Sequence, residues 1–139
     1  EDTLPITLSN LPRSVKDIDI IETLVIDDGS SDRTVEVAHD FGVNHIVELG
    51  HHQGLASAFR VGLDESLRLG ADIIVNTDGD NQYCGSDIES LIHPIIYNQV
   101  DLVVGSRDIN SVSSFSWIKK QKANNPIHQR RLKRKVTSR

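Results

Sequence analysis

The chain has 139 residues, of which 37% are hydrophobic, and it carries a formal net charge of −5 and a single cysteine, Cys84. This length limits it to one globular domain with a substantial core. A single cysteine excludes a disulfide framework and suits a reducing compartment. No apolar stretch reaches the roughly 18 residues that a transmembrane helix needs, so we expect a soluble, cytoplasmic protein.

Charge divides the chain near its C-terminal end. All 20 Asp and Glu residues precede Lys119, whereas most of the 15 Lys and Arg residues lie at or after position 119. We predict a folded core over residues 1–118 and a basic, solvated and disordered tail over residues 119–139. The chain is expected to become flexible at Ser111–Ser114, just before the tail. No nucleic-acid partner is expected, and contact of the tail with an anionic membrane is the less favoured alternative.

Apolar periodicity predicts helices that alternate with strands. Glycines mark the ends of two helices. In chain order we predict a helix capped by Thr3 and running to Leu11, a strand at Ile21–Ile26, a helix at Arg33–Phe41, a strand at His45–Leu49, a helix from Leu55 that Gly70 ends, a strand at Ile73–Asn76, a helix at Ser86–Asn98 and a strand at Leu102–Val104. This alternation indicates an α/β fold with a mainly parallel, doubly wound sheet.

Two acidic segments follow apolar runs. Asp78-Gly79-Asp80 comes directly after one predicted strand, and Asp27–Asp32 follows another. Alternate residues of an extended segment point the same way, so Asp78 and Asp80 could both contact one hard divalent cation, with Gly79 leaving the backbone uncrowded. Mg²⁺ or Mn²⁺ held in this way keeps open positions for a diphosphate. Parallel sheets bind ligands at the carboxyl ends of their strands, which predicts one polar crevice.

Four segments of the chain form a set of motifs: Val25–Thr34, Gly54–Ala58, Thr77–Gln82 and Leu102–Arg107. Together they resemble the family 2 glycosyltransferases, most closely the dolichyl-phosphate mannosyltransferase-like and other polyprenyl-phosphate glycosyltransferases. The segments occur in the family's order within roughly residues 1–120, which is more specific than any one motif.

The resemblance implies a GT-A (Rossmann-like) fold, a nucleotide-diphosphosugar donor, Mg²⁺ or Mn²⁺, and an inverting transfer. A polyprenyl phosphate acceptor would place the protein at the cytoplasmic membrane face. The implied residue roles are donor binding by Asp27, Asp28, Asp78, Gly79 and Arg107, with Asp28 at the nucleotide base; metal binding by Asp78, Asp80 and Gln82; and catalysis by Asp80 and Arg107, with Lys119 as a further phosphate-binding cation.

The chain also departs from the family pattern. The family's opening strand and its Pro-x-Tyr-Asn-Glu loop are not found, and the sequence beyond about Lys120 does not match the acceptor-side half. We therefore expect an incomplete domain without its first strand. No general base can be assigned.

Other interpretations remain open for the whole chain. A receiver-type signalling domain also places paired acids after one strand and a phosphoacceptor aspartate after a later strand. Asp27 and Asp28 would be the paired acids and Asp78 the phosphoacceptor. Ser106 and Lys119 would be the remaining residues of the receiver site. A non-catalytic nucleotide-sugar-binding remnant is the third possibility.

Single residues have simpler interpretations too. Asp27 could brace its own loop, and Asp32 could cap the helix at Arg33. The adjacent pair His51-His52 is expected to be solvated rather than metal-bound. Cys84 is expected to pack rather than act as a nucleophile.

Overall fold

The computed structural model describes residues 1–105, which contain four helices and two strands. Arg107, Ser111–Ser114 and the basic segment from Lys119 lie outside the described residues. In chain order the elements are α1 (Leu4–Asn10), β1 (Leu24–Asp27), α2 (Thr34–Asp40), β2 (His45–Glu48), α3 (Leu55–Arg68) and α4 (Asp87–Asn98). All four predicted helices form, each within a few residues of its predicted bounds.

β1 and β2 form a parallel pair, with Leu24 opposite His45 and Asp27 opposite Glu48. The Leu49 N–H donates to the Asp27 carbonyl at 2.9 Å and continues the ladder past the strand end. α2 provides the crossover that a parallel pair requires. The segments after β1 and after β2 therefore leave the sheet at the same edge, which confirms the predicted α/β arrangement.

Local signals explain where the helices end. Gly42 and Gly70 follow α2 and α3 with φ of +72° and +86°, a backbone region in which glycine carries no Cβ penalty. Pro5 lies in the first turn of α1, where its missing N–H costs no helical hydrogen bond. Thr3 precedes α1 without making a side-chain cap, so its predicted capping role is wrong.

α3 packs on β1, and α1 packs on α2. A Cβ on Gly62 of α3 would lie 3.3 Å from Ile26 Cγ1, so the small residue permits close approach of helix and strand. The apolar residues of α3 are only partly covered. Leu55 and Leu67 are 77% and 64% exposed, respectively, whereas Leu63 is half-buried.

The predicted strands at Ile73–Asn76 and Leu102–Val104 do not form, since the described residues contain no strands besides β1 and β2. A groove of about 160 Å³ is lined by residues of β1, α3 and the segment 73–76, among them Ile26, Phe59 and Ile74. A strand requires a hydrogen-bonded neighbour about 4.8 Å away. The segment has the composition of a strand but no ladder partner within residues 1–105.

Contacts divide the chain after His93 into two units, Glu1–His93 and Pro94–Arg139. The division falls inside α4, at Pro94, which has no backbone N–H for the helical hydrogen bond. The site contacts described below are all made by residues of the first unit. None of the helices in residues 1–105 is long and apolar enough to cross a membrane.

Candidate functional site

Asp27 closes the turn that follows β1. Its side chain is buried, at 5% exposure, and accepts hydrogen bonds from the Gly29 N–H at 3.3 Å and the Ser30 N–H at 3.1 Å. An aspartate that binds backbone groups two or three residues ahead stabilises a turn. Asp27 therefore braces its own loop, as one of its two interpretations predicts.

Asp28 connects this turn to the loop after β2. Its Oδ1 accepts the Gln53 N–H at 2.7 Å, and its Oδ2 accepts the Gly54 N–H at 2.9 Å. His52 Nδ1 lies 2.8 Å from the same Oδ2, an ion pair when His52 is protonated. The hydrogen bond from Gln53, followed by that from Gly54, outweighs desolvation and holds the pKa of Asp28 below its usual value of 3.8.

Gly29 lets the two loops touch. Its φ is +83°, and a Cβ placed on it would lie only 2.7 Å from the His51 carbonyl carbon and from the His52 nitrogen. Both are backbone atoms, which cannot rotate away as a side chain can. Glycine is thus required both by the left-handed conformation and by the contact with the loop His51–Gly54.

Asp32 starts α2. Its Oδ1 accepts the Thr34 N–H at 3.1 Å and the Thr34 hydroxyl at 2.6 Å. The N-cap residue of α2 is Arg33, which makes no side-chain cap, so the prediction that Asp32 caps the helix is wrong. Asp32 instead binds the N–H of the first helical residue from one position further out.

The second acidic loop, Asp78–Gln82, is exposed except for Asn81, which is half-buried. The chain turns at Gly79 and Asp80, and the Asp80 Oδ1 accepts the Gln82 N–H at 3.0 Å. The expectation that Asp78 and Asp80 alternate on an extended segment is therefore wrong, because the turn begins between them. Among the described residues, a Cβ on Gly79 would meet only Leu4 Cδ1, at 3.9 Å, so their atoms do not require glycine there.

The N-terminal segment contacts both acidic loops. The Glu1 Oε2 accepts the Arg33 N–H at 2.9 Å, directly after the first loop. Six and nine residues later, Thr7 and Asn10 contact the second loop at Gly79 and Asn81. Residues 1–10 therefore link the two acidic loops.

The donor set of the second loop fits a hard cation. Asp78 and Asp80 supply carboxylate oxygens and Gln82 an amide oxygen, the ligand types that Mg²⁺ and Mn²⁺ prefer. Within residues 1–105 no three His, Cys, Asp or Glu side chains are grouped closely enough to hold a metal ion by themselves. A site with so few protein ligands suits a cation that takes its other ligands from water and phosphate oxygens.

The sequence analysis missed several partners of the site. His51 and His52 were expected to be solvated and are indeed exposed, but the contact of His52 with Asp28 was not foreseen. Gln53 was not singled out, and Gly54 was noted only as the first residue of a family motif. Thr7 and Asn10 were not distinguished within α1. The signal for His52–Gly54 was their position after a parallel strand, whereas no local pattern marks Thr7 or Asn10. Arg107 and Lys119 lie outside the described residues.

Comparison with known proteins gives a consistent result. The model of the family "Glycosyl transferase family 2" matches residues 1–139. An uncharacterized protein of Methanocaldococcus jannaschii is 32% identical over 102 residues, which is 70% of this chain and 40% of that protein. No solved structure matches the chain significantly.

Two further relatives have names that state an activity. The UDP-N-acetylglucosamine–dolichyl-phosphate N-acetylglucosaminyltransferase of Methanococcus voltae is 29% identical over 116 residues, 72% of this chain and 46% of that protein. The undecaprenyl-phosphate mannosyltransferase of Micrococcus luteus is 30% identical over 121 residues, 84% of this chain and 47% of that protein. The chain thus spans less than half the length of these relatives.

The parallel strands and flanking helices are consistent with the GT-A fold that the sequence resemblance implies. The four motifs noted in the sequence lie within the matched residues. Because the family model covers the whole chain, the chain belongs to glycosyl transferase family 2.

Proposed function

We propose that this chain binds the nucleotide-diphosphosugar donor of a glycosyltransferase that transfers a sugar to a polyprenyl phosphate, with inversion and with the help of Mg²⁺ or Mn²⁺. The names of two relatives support the acceptor class. The observation that carries the proposal is the joining of three polar loops in one region. Asp28 holds the loop His51–Gly54, and residues 1–10 contact the segments on either side of the site.

Family membership removes one alternative. In a receiver domain Asp78 would be a phosphoacceptor, but the chain matches the glycosyltransferase model over residues 1–139. That interpretation is therefore wrong. A non-catalytic member of the same family remains the second candidate, because it would share the fold and the donor site.

In the proposed reaction, a phosphate oxygen of the acceptor forms a bond to the anomeric carbon of the sugar as the bond from that carbon to the nucleoside diphosphate breaks. The acceptor oxygen is already anionic and needs no strong general base. A divalent cation held by Asp78, Asp80 and Gln82 would neutralise charge on the departing diphosphate. A membrane-bound acceptor would bring the protein to the membrane surface as a peripheral protein.

The chain's own residues have distinct roles in this proposal. Asp28 lies on the nucleotide side, where it orders the loop His51–Gly54 and contacts the base. Asp27 keeps the turn closed without touching the donor. Gly79 leaves room for the diphosphate to approach the backbone, since the described protein atoms do not fill that space. Arg107 would contact donor or acceptor phosphate.

Titration calorimetry tests the donor site. Mn²⁺ alone should bind weakly. It should bind more tightly in the presence of UDP or GDP, because the protein and the nucleoside diphosphate would both be ligands of the cation. Asp80→Ala should abolish this enhancement, whereas Asp64→Ala removes an exposed carboxylate of α3 and should have no effect. Gly79→Ala should leave the unfolding midpoint unchanged and weaken nucleotide binding.

Equal Mn²⁺ and nucleotide binding by the wild type and Asp80→Ala would contradict the metal assignment. Transfer is tested with labelled UDP-N-acetylglucosamine and a polyprenyl phosphate, with lipid-linked sugar as the product measured. Tight nucleotide binding without transfer would favour the non-catalytic candidate.

A further inference from the structure

Helix α1 touches the acidic loop Asp78–Gln82 at two points. Thr7 is buried, at 8% exposure, and its hydroxyl lies 3.2 Å from the Gly79 carbonyl oxygen. The same hydroxyl lies 3.1 Å from the Thr3 carbonyl oxygen within the helix, so its one proton is shared between the two acceptors. One turn later, Asn10 Nδ2 donates to Asn81 Oδ1 at 2.9 Å.

Both contacts fall on the part of the loop whose conformation is unusual. Asn81 has a φ of +58°, a left-handed conformation that asparagine tolerates better than most residues but that still costs energy. Asn81 lies between Asp80 and Gln82, two of the proposed metal ligands. A contact that holds the Asn81 side chain therefore also fixes the backbone that carries both ligands.

A third contact limits where α1 can lie. A Cβ on Gly85, just after the loop, would overlap the carbonyl oxygen of Asn10 and lie 2.6 Å from its carbonyl carbon. The C-terminal end of α1 thus packs directly on backbone that follows the acidic loop. Gly79, Asn81 and Gly85 together give α1 a continuous contact along this stretch of chain.

We propose that α1 positions the acidic loop, with Thr7 and Asn10 as positioning residues for the metal and diphosphate site. The inference rests on the proposed function, because it assigns a purpose to the geometry of Asp78, Asp80 and Gln82. Neither Thr7 nor Asn10 supplies a metal ligand. Both act by restricting the loop to the conformation in which its oxygen donors bind the cation.

The main experiment measures Mn²⁺ affinity by calorimetry in the presence of UDP. Thr7→Val keeps the side-chain shape and removes the hydroxyl, and Asn10→Ala removes the contact to Asn81. Each should weaken Mn²⁺ binding about threefold to tenfold, the range expected for one lost hydrogen bond. Thr7→Ser retains the hydroxyl and should bind like the wild type.

Ser9→Ala is the matched control, because Ser9 is exposed on the same helix and its side chain makes no hydrogen bond to any of residues 1–105. It should leave Mn²⁺ affinity unchanged. Affinity for UDP measured without metal should be the same in every variant, which separates positioning of the loop from general loss of structure. If Thr7→Val and Asn10→Ala both bind Mn²⁺ as tightly as Ser9→Ala does, the inference is wrong.

Hydrogen exchange of the wild type gives a test that needs no variant. Coupling between two sites is reciprocal, so Mn²⁺ with UDP should slow amide exchange in α1 as well as in the loop. Slowing confined to the loop would overturn the inference while leaving the proposed function intact. No Mn²⁺ binding by the wild type at all would instead refute the proposed function.

Discussion

Replacing Gly29 by alanine should separate the two loops that Asp28 connects. The new Cβ would lie 2.7 Å from two backbone atoms of His51 and His52, closer than Cβ contacts in real structures. These atoms cannot rotate away, so either the turn after β1 or the loop His51–Gly54 must move. Movement of that loop would take the Gln53 and Gly54 N–H groups away from the Asp28 carboxylate.

The expected loss has two parts. A residue with a Cβ at φ of +83° costs roughly 1–2 kcal/mol relative to glycine. Forcing extra volume into a packed contact adds about 1–3 kcal/mol. Gly42→Ala is a matched control, because Gly42 has a φ of +72° and a Cβ added there would meet no atom of residues 1–105 within 4 Å. This variant therefore carries the first cost alone.

Urea unfolding of the two variants measures the difference. Gly29→Ala should unfold at a lower midpoint than Gly42→Ala by roughly 1 M, given a slope of about 1–3 kcal/mol/M. Amide exchange at Gln53 and Gly54 should quicken in Gly29→Ala only. Equal midpoints together with unchanged exchange at these two amides would refute the argument that backbone contact requires glycine at position 29.

Two other predictions concern the same region. Because the pKa of Asp28 is lowered in the folded state, this carboxylate contributes its full stabilisation above the ordinary pKa of 3.8 and loses it as the pH falls through the lowered pKa. Unfolding midpoints measured from pH 6 to pH 2 should therefore fall more steeply for the wild type than for Asp28→Asn. Parallel curves would exclude a folded-state role for this carboxylate. Gly85→Ala should displace the end of α1 from the loop and weaken Mn²⁺ binding at least as much as Asn10→Ala; wild-type affinity would show that the α1 contact does not control the site.

The sequence alone predicted the elements whose signals are local. Glycine at positions 42 and 70 marks the ends of α2 and α3, and the runs at Leu24–Asp27 and His45–Glu48 form the parallel pair. These features depend on residues a few positions apart, whose preferences act wherever the chain folds. The motifs in the acidic segments likewise indicated the family, because they are defined by residue types and their order, which can be read without a structure.

Only the tertiary structure decided which groups meet. Asp28 contacts backbone 25 and 26 residues further along the chain, and Thr7 contacts Gly79 across 72 residues. The segment Ile73–Asn76 has the composition of a strand but forms none within the described residues, because a strand exists only when a neighbour completes its hydrogen bonds. Such contacts depend on how distant segments pack, and local residue preferences do not determine that packing.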